Sequence, residues 1–300
     1  MNENSVIEHI RKKARLKSEV AMGIGDDCAI YRPRKGEELL FTTDFVIEGR
    51  HFRRDTHTAR QVGYKALARS LSDIAAMGGS PEFCLVGLAA PADSQWIDGF
   101  YDGLFALAAK TGTSLAGGDL SRSETIICDV MVCGSAATGT ALRRGGAKPG
   151  DALYVTGALG GSAHGLATGK GLAWKKHLRP EPRLAIGQLL RLKYGATACI
   201  DLSDGLSTDL ARLCKASGLC ADLGDTLPFF RGATIEEALH GGEDYELLFT
   251  VPGKRRIPVE IAGVPITRIG SVEKGPAGRI FGEKREFEII AAGFDHFETK

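Results

Sequence analysis

The chain has 300 residues, 43% hydrophobic and 25% charged, with a formal net charge of +1. That balance gives no electrostatic footprint for nucleic acid or an anionic membrane, and the composition fits a soluble globular protein whose core needs neither disulfides nor a structural metal. No apolar run approaches the ~20 residues of a membrane span, residues 1–20 are too polar for a signal peptide, and the seven cysteines are scattered without a C-x-x-C pair, as expected of reduced thiols in a cytoplasm.

In chain order, residues 5–15 read as a short opening helix and 39–43 as a buried strand ending at Asp44. Over 59–77 the apolar residues Val62, Ala66, Leu67, Leu71, Ile74 and Ala75 recur at three and four, which predicts a helix stopped by Gly78-Gly79 and Pro81. A strand over 83–89 and a helix over 94–111 closed by Gly112 come next. A short apolar step then leads into a turn at Gly117-Gly118-Asp119, followed by a long strand over 125–135. The basic, Gly/Pro-rich stretch 143–151 reads as a domain boundary, so two α+β domains are expected, 1–140 and 141–300.

In the second half, a strand over 151–156 leads through 157–161 into a helix, 177–182 reads as a loop and 183–193 as a helix. A short strand stops at Asp201, and Ser203 or Asp204 can cap a helix that runs to Ser217 before Gly218. A strand over 245–251 follows Gly241-Gly242, and the tail is β-rich. No tandem repeat or low-complexity segment is present.

The acids are the informative feature. Asp26-Asp27 follow Gly23-Ile24-Gly25, Asp44 follows Thr42-Thr43, Asp119 follows a double glycine, Asp201 and Asp204 flank Ser203, and Glu243-Asp244 follow another double glycine. Any one of these can be a turn or cap residue, and S-D-G-L at Asp204 is a good helix start. Asp209, one turn on, reads as a solvated helix residue. Asp73 differs, because an acid beside Leu71 and Ile74 must be paired or ligated. A converging set of carboxylates repels itself, and hard oxygen ligands suit Mg²⁺, which bridges carboxylates to phosphates. The pattern points to metal-assisted phosphoryl transfer or nucleotide hydrolysis.

Other signals are weaker. The stretch 165–171 fails as a P-loop, no protein-kinase or zinc-protease motif is present, and 160–164 lacks the last glycine of a hydrolase elbow. The segment 157–165 is either a closely packed strand-to-helix junction or a helix start facing phosphate. His51 is either structural or in contact with substrate, and Arg144 and Lys148 are either solvated or in contact with phosphate.

Taken together, GIGDDCA (23–29), TTD (42–44) with GRHF (49–52), YKALARSLSDIAAMGGSP (64–81), AGGD (116–119), RRGGAKPGD (143–151), VTGALGGSAHGL (155–166), HLRPEPR (177–183), IDLSDGLSTDL (200–210), GGEDYELLF (241–249) and GFDHF (293–297) resemble the thiamine-monophosphate kinase family of the AIR synthase-like ATP-binding superfamily. They run in family order over nearly the whole chain. The resemblance implies a two-domain α+β fold, with an N-terminal α/β domain that binds ATP and Mg²⁺ and pairs in a homodimer through a β-barrel-like interface. It implies metal positions at Asp27, Thr42, Thr43, Asp44, Asp73, Asp119, Asp201 and Asp204. Nucleotide contacts fall at Gly118, Asp119, Arg144 and Ser203, and contacts with the thiamine part at His51, Glu243 and Phe294. An aromatic face at Phe294 suits stacking on a pyrimidine or attraction of a thiazolium cation. The chain departs from the family wording at Gly145-Gly146 and in a short stretch between Gly169 and His177.

The expected reaction is in-line transfer of the γ-phosphoryl group of ATP to thiamine monophosphate, with several Mg²⁺ ions and no single nucleophile or base. Rival readings are a different enzyme of the superfamily and a nucleotide-binding module without turnover. Selenophosphate synthetase would show a reactive Cys or selenocysteine near its N-terminus, and a hydrogenase-maturation protein would end in a cysteine tail. Neither feature is present in this sequence.

Overall fold

The structure is a computed structural model and describes residues 3–282 and 285–294. Asp295, His296 and Phe297 of the GFDHF segment lie outside them. The chain divides into two compact units, one of Met1–Ile74 and Gly79–Gly139, the other of Ala75–Gly78 and Thr140–Lys300. No described helix is long and apolar enough to cross a membrane.

The first unit contains helices α1 (Glu3–Lys13), α2 (Ala59–Ala76, except its last two residues) and α3 (Ser94–Thr111). Its strands are β1 (Val20–Met22), β2 (Ile30–Tyr31), β3 (Glu37–Ile47), β4 (Ser80–Ala90), β5 (Ser114–Arg122) and β6 (Ile127–Ala137). Four of them form an open sheet in the order β3-β6-β4-β5, and no barrel closes among the described residues. The parallel pair β4 and β5 is joined by α3, as a crossover requires. Asp93 caps α3, accepting from the Gln95 and Trp96 N–H groups, and Gly112 ends it in a left-handed conformation.

The apolar periodicity of α2 reports a real buried face: Val62, Ala66, Leu67, Leu71 and Ile74 are all buried. Its polar residues Lys65, Arg69, Ser70 and Ser72 are buried as well, and Ser70 Oγ donates to the Val130 carbonyl of β6 at 2.8 Å. Gly63 of α2 sits against Phe100 and Gly103 of α3 against Arg60, so close that a Cβ on either would fall 1.9 Å from a carbonyl oxygen. Gly63→Ala should therefore lower stability by about 1–3 kcal/mol through overpacking, outweighing the helix-propensity gain of about 1 kcal/mol. Thermal melts of the two proteins check this.

Two sequence expectations change here. Asp44 lies inside β3 and not at its end, because β3 pairs with β6 along its whole length, from Glu37 with Ala137 to Ile47 with Ile127. Gly117-Gly118-Asp119 does not turn. It runs within β5 beside β4, past a register irregularity between Cys84 and Leu85, and a Cβ on Gly118 would lie 2.0 Å from the Val86 carbonyl oxygen. Strand pairing alone therefore explains that glycine.

The second unit contains β7 (Asp151–Thr156), α4 (Gly161–Thr168), α5 (Gly171–Leu178), α6 (Leu184–Leu189) with a π-helical turn (Leu190–Tyr194), β8 (Ala198–Asp201) and α7 (Leu206–Ser217). These are followed by β9 (Cys220–Leu223), α8 (Ile235–His240), β10 (Leu247–Val251), β11 (Glu260–Ile261), β12 (Val264–Glu273), β13 (Ile280–Gly282) and β14 (Phe287–Ile289). The sheet order is β14-β13-β9-β12-β7-β10-β8, with β11 on β12. Leu248 of β10 joins the core with Leu210 and Leu213 of α7 and Ala238 of α8. Leu247, Phe249 and Val251 join the other core, with Ile186 of α6 and Leu190. Helices thus cover both faces, and β10 is buried throughout for that reason, with Thr250 its one polar residue. His177, expected in a loop, lies in the last turn of α5.

Candidate active site

In the first unit β3 sends alternate side chains to opposite faces. Toward α2, the Thr42 hydroxyl donates to the Asp73 carboxylate, and Asp44 lies 3.5 Å from Arg69 Nη2. On the other face the Thr43 hydroxyl donates to Asp129 of β6. The structure therefore brings Thr42, Asp44 and Asp73 together and sets Thr43 apart from them. Burial pushes the Asp44 carboxyl up to about 6; Arg69 opposes the shift, and Asp73 and Asp129 add to it. Asp27, Gly118, Asp119 and Asp129 line a cavity of about 940 Å³, together with Tyr31 and Phe83. His51 follows β3, and its Nδ1 accepts the Ile47 N–H at 3.0 Å. That bond leaves Nε2 as the N–H donor of the neutral ring.

These donors fit Mg²⁺ in kind. Each threonine hydroxyl commits its proton to a carboxylate and keeps its lone pairs, and Asp44 and Asp73 are oxygen donors of the hard type that Mg²⁺ takes. Among the described residues no group of three or more His, Cys, Asp or Glu side chains could hold a metal ion. Mg²⁺ typically takes one or two carboxylates, with water and phosphate completing its shell.

In the second unit four expected residues meet around one turn. Asp201 is buried at the end of β8, and Ser203 and Asp204 follow it. The Glu243 N–H donates to the Ser203 carbonyl at 2.8 Å, and the Phe294 N–H donates to the Asp204 carbonyl at 3.0 Å. Glycines permit this approach: a Cβ on Gly242 would lie 2.7 Å from the Ser203 carbonyl oxygen, and one on Gly293 2.1 Å from that of Asp204. Arg144 is not brought there. Its carbonyl accepts from Ser217 Oγ at 3.1 Å, at the far end of α7, a helix of 12 residues and so about 18 Å long at ~1.5 Å per residue.

Neither Ser203 nor Asp204 caps α7. The N-cap is Gly205, without a side-chain bond, and Asp209 instead accepts the Asp204 N–H at 2.9 Å. Asp209, expected in solvent, is fully buried. Arg212 donates to it at 2.8 Å and also donates to Asp204. The helix start after Gly160 is likewise not open to phosphate. The Asp244 carboxylate accepts the Gly160 and Ser162 N–H groups at 2.6 and 3.0 Å, which favours the packing reading of 157–165.

Burial raises the Asp209 carboxyl to about 6, with the Asp204 N–H and Arg212 opposing and the Asp204 charge adding. Its unfolded value is ~3.9, so the folded state holds this proton more tightly. The stability it contributes is complete below about pH 4 and lost as pH rises to about 6. In EDTA, Asp209→Asn should gain on the wild type across that window by up to about 3 kcal/mol, with a constant difference above it. Paired melts from pH 4 to 8 check this.

Comparison with known proteins gives the same chemistry a family. Residues 25–136 match the model of the AIR synthase related protein N-terminal domain, and 148–283 that of the C-terminal domain. The thiamine-monophosphate kinase of Salmonella typhimurium is 41% identical over 94% of this chain and 93% of its own. The crystal structure of thiamine-monophosphate kinase from Stenotrophomonas maltophilia superposes with a TM-score of 0.83 at 35% identity, covering 94% of this chain and 97% of that one. A structure of AaThiL complexed with AMPPCP and TMP gives a TM-score of 0.78 at 33% identity, covering 98% and 97%. The chain belongs to the thiamine-monophosphate kinase family.

Within that family's two-domain α+β fold, sequence reasoning missed several groups now seen beside the expected ones: Arg69, Asp129, Asp209, Arg212 and His177. Two left a signal. Asp129 is the one charged residue in the strand 127–137, and Asp209 shares the helix face of Leu206, Leu210 and Leu213. Arg69, Arg212 and His177 left none: the partners of Arg69 and His177 are set by tertiary packing, and Arg212 serves the buried Asp209 and the Asp204 turn.

Proposed function

We propose that this chain transfers the γ-phosphoryl group of ATP to the terminal phosphate of thiamine monophosphate, giving thiamine diphosphate and ADP. The observation that carries the reading is the meeting of Ser203, Asp204, Glu243 and Phe294 on one turn, from segments far apart in sequence. An acidic and an aromatic residue whose backbones are held on the same turn suit a cationic, aromatic acceptor, and kinase relatives span nearly the whole chain.

An acceptor phosphate oxygen attacks the γ-phosphorus, the bond from that phosphorus to the β,γ-bridging oxygen breaks, and its electron pair leaves on ADP. The acceptor oxygen is already anionic near pH 7, so no base is required, and catalysis rests on positioning and charge. Bound Mg²⁺ supplies neutralisation of the phosphate charge. Asp27, Thr42, Thr43, Asp44, Asp73, Asp119, Asp201 and Asp204 are the groups to hold it. Gly118, Asp119 and Ser203 contact the nucleotide, Arg144 would reach it from the opposite end of α7 to Ser203, and the cavity lined by Asp27 and Asp119 has the volume for a bound nucleotide. His51 offers an N–H donor, Glu243 a carboxylate and Phe294 a ring to the acceptor.

In the same reading residues 1–140 form the ATP- and Mg²⁺-binding, dimerising domain, and 141–300 the second domain. Two copies pair in a barrel-like interface through β3, whose Phe41 and Phe45 are 63% and 53% exposed. Phe41→Asp with Phe45→Asp should then give a monomer in light scattering. The cytoplasm is the compartment that suits seven free thiols. The direct test is incubation with ATP, Mg²⁺ and thiamine monophosphate. Thiamine diphosphate formed in step with ADP and abolished by EDTA supports the reading, and ADP without thiamine diphosphate refutes the acceptor.

A further inference from the structure

The segment 243–246 has an unusual backbone. Glu243 and Tyr245 hold φ of +65° and +51°, a left-handed conformation that costs a non-glycine residue about 1–2 kcal/mol. Such a conformation persists only where the surroundings fix it, and it recurs where a side chain must be aimed. Here the fixing groups come from two short stretches. Lys176 Nζ lies 3.5 Å from Asp244 Oδ1 and 3.3 Å from Glu246 Oε1. Arg183 grips Glu246 through Nε and Nη2, both at 2.7 Å. Asp244 is further held by the N–H groups at the start of α4.

Glu243 is the member of this acidic series left facing outward, with 22% of its side chain exposed against 2% and 1% for Asp244 and Glu246. Its inner neighbour is His177, whose Nδ1 lies 3.5 Å from Glu243 Oε2. The same nitrogen is 2.9 Å from Ser162 Oγ. The ring is itself buried and stacks on Trp174 with centroids 5.0 Å apart and planes 12° apart, so it cannot swing aside.

We infer that His177, clamped by Ser162 and Trp174, is a positioning residue that fixes the direction of the Glu243 carboxylate for the thiamine part of the acceptor. The inference rests on the proposed acceptor. A glutamate on a left-handed turn has several staggered rotamers open to it. A buried ring against one carboxylate oxygen restricts them before the ligand arrives, which removes an ordering cost from binding. The effect is confined to the acceptor, so nucleotide affinity is untouched.

The test uses the full-length chain, with steady-state kinetics in both substrates and calorimetric titration of thiamine monophosphate without ATP. His177→Ala should raise KM and Kd for thiamine monophosphate about tenfold, with KM for ATP and kcat held within about twofold. His177→Asn keeps a polar atom near the Nδ1 position and should recover to within about threefold of wild type. Ser162→Ala, a gentler change should His177→Ala fail to fold, should raise the same constants about threefold. In a double-mutant cycle, Glu243→Ala with His177→Ala should be no weaker for thiamine monophosphate than Glu243→Ala alone, within about twofold. A folded His177→Ala with unchanged constants, a loss shared equally by ATP, or losses that multiply in the cycle each overturn the positioning role. A wild-type chain that neither binds nor phosphorylates thiamine monophosphate overturns the acceptor reading and this inference with it.

Discussion

Asp44→Asn should lower kcat by about 10²–10³-fold, the scale on which removing one transition-state electrostatic contact acts, while the metal-free protein melts no lower than wild type. The two halves have one cause. Asp44 is a partly buried carboxylate near Asp73 and Asp129, with Arg69 as a cationic neighbour at 3.5 Å, and burial raises its carboxyl to about 6. A carboxyl whose folded pKa is raised is most favourable to stability when protonated and loses that contribution as pH rises through about 6. At pH 7.5 it is charged at a cost, and the amide relieves about 1 kcal/mol after allowance for its partial exposure. Turnover at saturating ATP, Mg²⁺ and thiamine monophosphate, set beside melts in EDTA, makes the test. A lower melting temperature with undiminished turnover would identify the Asp44–Arg69 pair as structural and remove Asp44 from the metal set.

Glu246→Ala should have the opposite signature, with a loss of about 3–5 kcal/mol in stability, the range for breaking a buried ion pair. Glu246 is buried and receives Arg183 through two bonds, Thr156 Oγ1 at 2.6 Å and Lys176 at 3.3 Å. Burial alone would raise its pKa, but Arg183, Lys176 and Thr156 more than offset that, and the carboxyl sits below its usual range. The stability it contributes is present above its unfolded pKa of ~4.3 and is lost as pH falls through the lower folded value. Removing the carboxylate leaves Arg183 and Lys176 without its charge in the interior. Glu246→Gln keeps an acceptor for Thr156 and should lose roughly half as much. Chemical denaturation at pH 7 measures both, and an alanine variant within about 1 kcal/mol of wild type would show that water replaces the carboxylate there.

How far the sequence reaches depends on what each residue answers to. The α2 helix was legible because Val62, Leu67, Leu71 and Ile74 repeat along one chain segment. Asp73 was legible as an acid needing a partner, though not that the partner is Thr42. The reading of 117–119 as a turn failed because double glycine is a turn signal only when nothing else needs the missing Cβ. Here the Val86 carbonyl of β4 occupies that space, and no local pattern reports a parallel neighbour. Asp204 looked like a cap because S-D-G-L is a good helix start. The cap reading lost because Asp209 reaches back from inside the helix, an arrangement that only burial of the first turn of α7 makes favourable. The 243–246 segment was recognised by its letters, but its left-handed backbone and its clasp by Lys176, His177 and Arg183 depend on a helix far away in sequence.

The alternation of β3 has a consequence for how this sequence can drift. Leu40, Thr42, Asp44 and Val46 occupy one side of the strand, and Phe41, Thr43 and Phe45 the other. Because the side-chain period is two, inserting or deleting one residue between Glu37 and Thr42 would exchange the two sets along the rest of the strand. It would turn phenyl rings toward Asp73 and Arg69 and put Asp44 on the exposed face. Substitutions along β3 can be tolerated one at a time, but a change of length cannot be absorbed gradually. Length variation in this part of the chain should therefore collect in the connections on either side of the strand, before Glu37 and after Ile47.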